Sequence, residues 1–204
     1  MMTHPFQSAL LATLVGAMAL SPVARAAEGI LKNPGFEADA NADGNPDYWF
    51  VYPGIRELVV DPEVTLVAKD NAPEGSVYLR LSKRGGKPLA LTHLPDQAAL
   101  EKLFGGMPRA FTVKAKGRAN DLSGDGAAIV VQVFHPDENG VRKFAGRFRS
   151  EKLEGTTEWV SREVVVSLVD ILPEGTLPSD VEINLELGSD TGSVDFDDFS
   201  VVAQ

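Results

Sequence analysis

LKNPGFEADANADGNPDYWF, residues Leu31 to Phe50, decides how the rest of this chain is read. Gly29-Ile30-Leu31 begins a strand in this reading. Asn33-Pro34-Gly35 then turns the chain, because Pro fixes φ and Gly accepts positive φ. Phe36 points inward and Glu37 does not. Asp39 to Asp47 reads D-A-N-A-D-G-N-P-D. Oxygen donors fall at Asp39, Asn41 and Asp43, Gly44 follows, and Asp47 takes the ninth place. This is the first part of an EF-hand-type calcium loop, in which the Gly permits a sharp turn. Phe50 stands where the bidentate acid of such a loop belongs, and no flanking helices are evident. An Asx-rich surface turn fits the same residues, and both readings stay open on the sequence.

The remainder reads as short strands between turn signals. Tyr48 to Tyr52 is aromatic and stops at Pro53-Gly54. Leu58–Val60 and Val64–Ala68 flank Asp61-Pro62. Val77, Leu79 and Leu81 alternate with polar neighbours, the period-two signal of a half-buried strand. Lys87 to His93 continues the pattern. Pro95 to Phe104 is the one helical segment, closed by Gly105-Gly106. Phe111, Val113 and Ala115 face one way and Thr112, Lys114 and Lys116 the other. Ile129, Val131 and Val133 alternate with Val130, Gln132 and Phe134, and Asp137-Glu138-Asn139-Gly140 is a hairpin turn. Val181, Ile183, Leu185 and Leu187 alternate with Glu182, Asn184 and Glu186. The strand spacing predicts an all-β fold, an antiparallel β-sandwich with one short helix.

Composition narrows the function classes. The 204 residues carry 19 Lys and Arg against 29 Asp and Glu, a formal charge of −10. That balance argues against nucleic acid and anionic membrane as partners. Ala9 to Leu20 is an apolar run, shorter than the ~20 residues of a spanning helix. Ala24-Arg25-Ala26 follows it with the small-x-small pattern of a signal-peptidase site. Residues 1–26 therefore read as a signal peptide, with an uncleaved anchor as the alternative, and 27–204 as one exported domain, secreted or periplasmic, with no membrane insertion after signal removal. With no cysteine, that domain depends on core size or a metal for stability.

ILKNPGFE, a loop ending at Trp49, GSVYLRLS, FTVKAKG, TEWVSREVVV and VDFDDFSVV occur in that order. Together they resemble the galactose-binding-like jelly-roll superfamily, specifically carbohydrate-binding modules of families four, nine and twenty-two. The likeness covers nearly all of 27–204. It implies two packed antiparallel sheets, one with its outer face curved into a shallow trough. It also implies a structural calcium ion where the first and last strands meet. Glu37 matches the Glu of the family's Asn-x-Gly-Phe-Glu. Asp197 and Asp198 match the acidic pair of its final strand. Gly75 matches the Gly before its third strand, where a backbone carbonyl is often lent to the ion. Calcium takes six to eight hard oxygens, which carboxylates and carbonyls supply. A solvated strand edge would present the same aspartates.

Sugar binding needs flat aromatic platforms and polar groups for hydroxyls. The resemblance places Trp49 and Trp159 in scaffold packing. That leaves Tyr48, Tyr52, Tyr78 and Phe134 as platforms. Strand parity assigns Lys114, Lys116, Gln132, Phe134, Arg147, Glu182, Asn184 and Glu186 to one face. The expected ligand set is Tyr78, Lys114, Gln132, Phe134, Arg147 and Asn184, with the basic residues favouring an acidic polysaccharide. An ordinary solvated sheet face is the plainer alternative. No catalytic constellation emerges: there is no thiol, and His93 and His135 sit at strand ends. His135 near Tyr78 is the faint hint of a lyase. The expectation is a non-catalytic, calcium-stabilised glycan-binding module. The alternatives are a structural or adhesive exoprotein with a protein partner and, behind it, a lyase or hydrolase.

Overall fold

The computed structural model describes residues 29–68, 71–105 and 110–204. The expected signal peptide, residues 1–26, lies outside the described residues. In chain order the elements are β1 (Trp49–Phe50), α1 (Pro53–Arg56), β2 (Val59–Val60), β3 (Glu63–Ala68), β4 (Val77–Ser82), β5 (Gly85–Gly86) and β6 (Leu89–His93). There follow α2 (Gln97–Phe104), β7 (Ala110–Asn120), β8 (Leu122–Pro136), β9 (Arg142–Arg149), β10 (Leu153–Gly155), β11 (Val160–Ser167), β12 (Asp180–Leu187) and β13 (Ser193–Ala203).

The strands form two antiparallel sheets. The first runs β1-β6-β12-β8, and β9 and β10 both pair with the far edge of the long β8. The second runs β11-β7-β13-β4-β3. A small flap joins β2 to β5. Alternation places Leu89 and Leu91 of β6, Ile183 and Leu185 of β12, and Ile129 and Val131 of β8 in the core. There they meet Val113 of β7, Leu79 and Leu81 of β4, and Phe196 of β13. This is the all-β sandwich that the strand spacing predicts.

The helix expected over Pro95–Phe104 is α2. The Asp96 carboxylate caps it, accepting from the Ala99 amide at 2.9 Å, and Gly105 ends it with φ of 58°. Leu100 and Phe104 bury its inner face. The single turn α1 was not legible. Pro53 starts it and interrupts the aromatic run, leaving only Trp49 and Phe50 as strand.

Gly29–Leu31 is not a strand. No strand pairs with it; the Lys32 amide instead donates to His93 Nε2 at 3.1 Å, and Ile30 O accepts from the Asp96 amide. Side chains hold this turn in place. The Phe36 ring lies 5.1 Å from Trp49 and 5.7 Å from Phe199, and Trp49 lies 4.9 Å from His93. All four are buried.

His93 is thus a core residue and not the surface histidine that its strand-end position suggests. Its Nε2 lies 3.1 Å from the amide and 3.2 Å from the carbonyl of Lys32, and Nδ1 has no partner among the described residues. Burial pushes its pKa from 6.5 down to about 4. The folded state therefore holds His93 neutral while the unfolded chain protonates it. Stability should be complete above pH 6.5 and fall by ~1.4 kcal/mol per unit towards pH 4. Asp197, pushed up to about 6, gains stability as pH falls through the same window, so the His93 contribution should be read as the difference between the wild-type protein and His93→Phe in chemical denaturation at pH 7 and pH 5. Phe36→Ala should lower unfolding free energy by ~3–5 kcal/mol in the same assay.

Candidate functional site

Two places gather functional groups: the corner where the N-terminal turn meets β13, and the outer face of the first sheet.

At the corner, Glu37 reaches the loop before β4. Its Oε1 accepts from the amides of Ser76 and Val77 at 2.8 and 2.9 Å, and Oε2 from the Ser76 hydroxyl. The Asp197 carboxylate accepts from the amides of Glu74 and Asp198 at 2.9 and 2.8 Å. One short loop, Glu74 to Val77, therefore touches both acids. Gly75 has φ of 57°, and a Cβ there would run into Glu37 Oε1. Asp197 is fully buried and makes no ion pair among the described residues, although Lys116 stands opposite it in register. Burial pushes its pKa up to about 6, and the nearby charges of Glu74 and Asp198 push the same way. A buried acid without a cation, beside a Gly-walled cradle, fits a hard divalent ion. No group of three or more Asp, Glu or His side chains is arranged as a metal site among the described residues. Backbone carbonyls would have to complete the shell.

The acidic loop turns its oxygens on itself. Asp39 accepts from the amides of Asp43 and Gly44, and Asn41 from that of Asp43. Asp43 accepts from Asn45, which holds its carboxyl below the usual range, and Asp47 accepts from the Ala40 amide. Asp39, Asn41, Asp43 and Asp47 thus form an Asx-rich turn whose oxygens are met by nearby amides, as those of Glu37 and Asp197 are.

The outer face of the first sheet is a polar floor with Phe50 and Tyr52 at one edge, beside the Asn184 row, and Phe134 and Phe144 at its Asp180 end. Cross-strand registers define rows. Glu182 of β12 lies beside Gln132 of β8 and Arg147 of β9. The next row runs Phe50, Thr92, Asn184, Val130 and Arg149 across five strands. Beyond it, Glu186 lies between Ala90 and Ala128. Although they face outward, Glu182, Asn184 and Glu186 are only 6%, 3% and 9% exposed.

Neighbouring side chains cover them. The Tyr52 hydroxyl donates to Glu182 Oε1 at 3.0 Å. From the other side Arg142 donates to the same oxygen at 2.5 Å and to Asp180 at 3.0 Å. Arg147 donates to both Glu186 oxygens at 2.6 Å. At the centre Asn184 Oδ1 accepts from the Thr92 hydroxyl at 2.6 Å, while Asn184 Nδ2 is buried without a partner. Phe50 and Tyr52 stand with their rings 5.0 Å apart and perpendicular. Phe134 and Phe144 lie 5.8 Å apart, with the Arg142 guanidinium 3.4 Å from the Phe134 ring centre.

Gln132, Phe134, Arg147 and Asn184 of the expected ligand set therefore share one face. Tyr78 and Lys114 do not: they lie on β4 and β7, in the second sheet, as does Lys116. Tyr78 is fully buried beside Trp159, with Arg80 and Arg118 over its ring, and Lys114 pairs with Glu163. Parity tells which residues share a side of a strand, not which sheet the strand joins. His135 and Tyr78 are on different sheets, so the lyase hint is not assembled. Phe50, Arg142 and Phe144 were missed. The Asn-Gly hairpin between β8 and β9 could have paired Phe144 with Phe134.

No protein-family model matches the sequence, and a search of curated proteins finds no relative. Solved structures share the architecture. A cyclase from Fischerella sp. TAU matches at TM-score 0.56 and 16% identity, over 85% of this chain and 96% of its own. A putative sugar binding protein from Bacteroides thetaiotaomicron matches at 0.55 and 11%, over 87% and 100%. The likeness is one of fold, a two-sheet antiparallel β-sandwich. The enzymatically active domain of a bacteriophage CBA120 tailspike protein also contains it, at 0.55 and 15%, over 86% of this chain and 21% of that one. The same sandwich thus occurs in a cyclase, a tailspike and a putative sugar binder, and function has to be argued from the site.

Gly75→Ala tests the corner. Positive φ and the Glu37 carboxylate both oppose a methyl group there. The variant should lose more than ~1 kcal/mol of stability, read as a lowered melting midpoint.

Proposed function

We propose that this protein is an exported, non-catalytic carbohydrate-binding module that holds a glycan on the outer face of its first sheet and carries a structural calcium ion at the corner. One observation carries the glycan reading: a buried polar floor, with an unmet donor at Asn184 Nδ2, shares its face with two aromatic pairs, Phe50 with Tyr52 and Phe134 with Phe144. Sugars offer what such a surface takes, namely hydroxyls for the floor and apolar ring faces for the aromatic pairs. Phe144 is 58% exposed and supplies an open ring.

A non-catalytic role is supported by the state of the reactive groups. Both floor glutamates are engaged by arginines. Burial and Glu182 push the Tyr52 phenol up, away from use as a base. His93 is enclosed in the core. Export is supported by the apolar run and small-x-small site before residue 27. Calcium is supported by the unpaired Asp197 and by Glu37 at the same loop; Asp198, at φ of 55° on the adjoining bulge, offers a further oxygen.

A glycan array should show binding by the wild-type protein. Phe144→Ala should weaken it by roughly 1 kcal/mol, about fivefold, the worth of one aromatic contact. Silence across neutral and acidic glycans would overturn the reading and leave a structural or adhesive role. If calcium is bound at a hundredfold excess over its Kd, chelation removes ~2.7 kcal/mol. The melting midpoint should then fall by about 5–10 °C and recover on adding calcium back.

A further inference from the structure

We infer that Lys83 and Asp190 join through a side-chain amide, an isopeptide bond that staples the end of β4 to the loop between β12 and β13. The two residues are 107 apart in sequence. Ser82 pairs with Ser193, so each stands just past the paired ends of β4 and β13. Leu79 and Leu81 point into the core, and Lys83 continues that parity at the end of the sandwich.

The Lys83 side chain is completely buried, while that of Asp190 is 60% exposed. Lys83 Nζ donates to Asp190 Oδ1, and its other two protons meet no acceptor among the described residues. An ammonium offers three donors, and enclosing it with two of them unmet is costly. The nitrogen of a side-chain amide offers one. The covalent form therefore suits this enclosure better than the ion pair does.

The turn that carries Asp190 is held in place. The Ser189 hydroxyl donates to Thr191 O at 2.6 Å and accepts from the Ser123 amide at 2.9 Å. The Thr191 hydroxyl meets that of Ser123 at 2.8 Å. Both neighbours of Asp190 are thus tied to the start of β8. Gly192, at φ of 77°, lets the turn lie against Asn120 and Asp121, where a Cβ would strike their carbonyl oxygens. Fixing an amine against a carboxyl group in this way gives an effective concentration of ~10⁵ M or more, which favours condensation over hydrolysis.

The step balances within the pair. One ammonium proton passes to the carboxylate, leaving an amine beside a carboxylic acid. The Nζ lone pair attacks Cγ, a carbon–nitrogen bond forms and a carbon–oxygen bond breaks. The departing oxygen leaves as water, with one proton from the acid and one from the amine. The exposed side of Asp190 gives that water its way out. In a chain without cysteine, the link takes the part of a disulfide: it closes a long loop and restricts the unfolded chain.

Mass spectrometry of the purified, denatured protein tests this, with its N-terminus read from the same digest. The mass should fall short of the sequence by one water. Trypsin should release a branched fragment that contains both Lys83 and Asp190. Lys83→Arg keeps the positive charge but should restore the full mass and abolish the branched fragment. A wild-type protein at full mass, with Lys83 and Asp190 in separate fragments, holds an ion pair only and overturns the inference. A missing water that persists in Lys83→Arg belongs to another site and overturns it too.

Discussion

The aromatic knot of Phe36, Trp49, His93 and Phe199 is what the rest of the molecule rests on. The N-terminal turn has no sheet hydrogen bonds to hold it. Ring packing, the Lys32 amide on His93 and the Phe199 amide on Pro34 O fix its position. Two consequences follow at once. Glu37 is delivered to the Glu74–Val77 loop, beside Asp197. Trp49 is turned inward on β1, so its neighbour Phe50 must face outward. The corner and the trough are separate sites, yet both take their positions from these four rings.

Charge is handled differently on the two outer faces. On the second sheet, Asp195 is fully buried and accepts from Arg80, Arg118 and Asn120. Trp159 covers Arg118, its ring centre 4.7 Å away. That cluster is closed, and every Asp195 oxygen is engaged. On the first sheet the floor carboxylates are also paired, but the pairs stand either side of an amide whose donor is unmet. The first arrangement welds a surface; the second leaves one buried donor without a partner among the described residues.

The sandwich was legible because alternation is a local property. β12 shows it best: Val181, Ile183, Leu185 and Leu187 inward, Glu182, Asn184 and Glu186 outward. The trough was half legible for the same reason. Gln132, Phe134, Arg147 and Asn184 fell on a shared face, but Lys114 and Tyr78 were drawn in from strands of matching parity in the other sheet. Sheet membership is set by pairings that can lie more than a hundred residues apart, such as β4 with β13, and a short window contains no trace of them. The N-terminal segment misled for a related reason: its residues suit a strand, and no neighbour offers an edge.

β13 changes phase part-way along. Val194 and Phe196 point inward on even numbers, while Asp195 and Asp197 point outward. The register then slips between Asp197 and Ser200, and Phe199 and Val201 point inward on odd numbers. Asp198, in the left-handed region, is the added residue. Its left-handed turn, more than its carboxylate, lets one strand serve an arginine-bound carboxylate at one end and the ring cluster at the other. A strand that kept Asp198 in plain alternation would carry Phe199 and Val201 round to the water side.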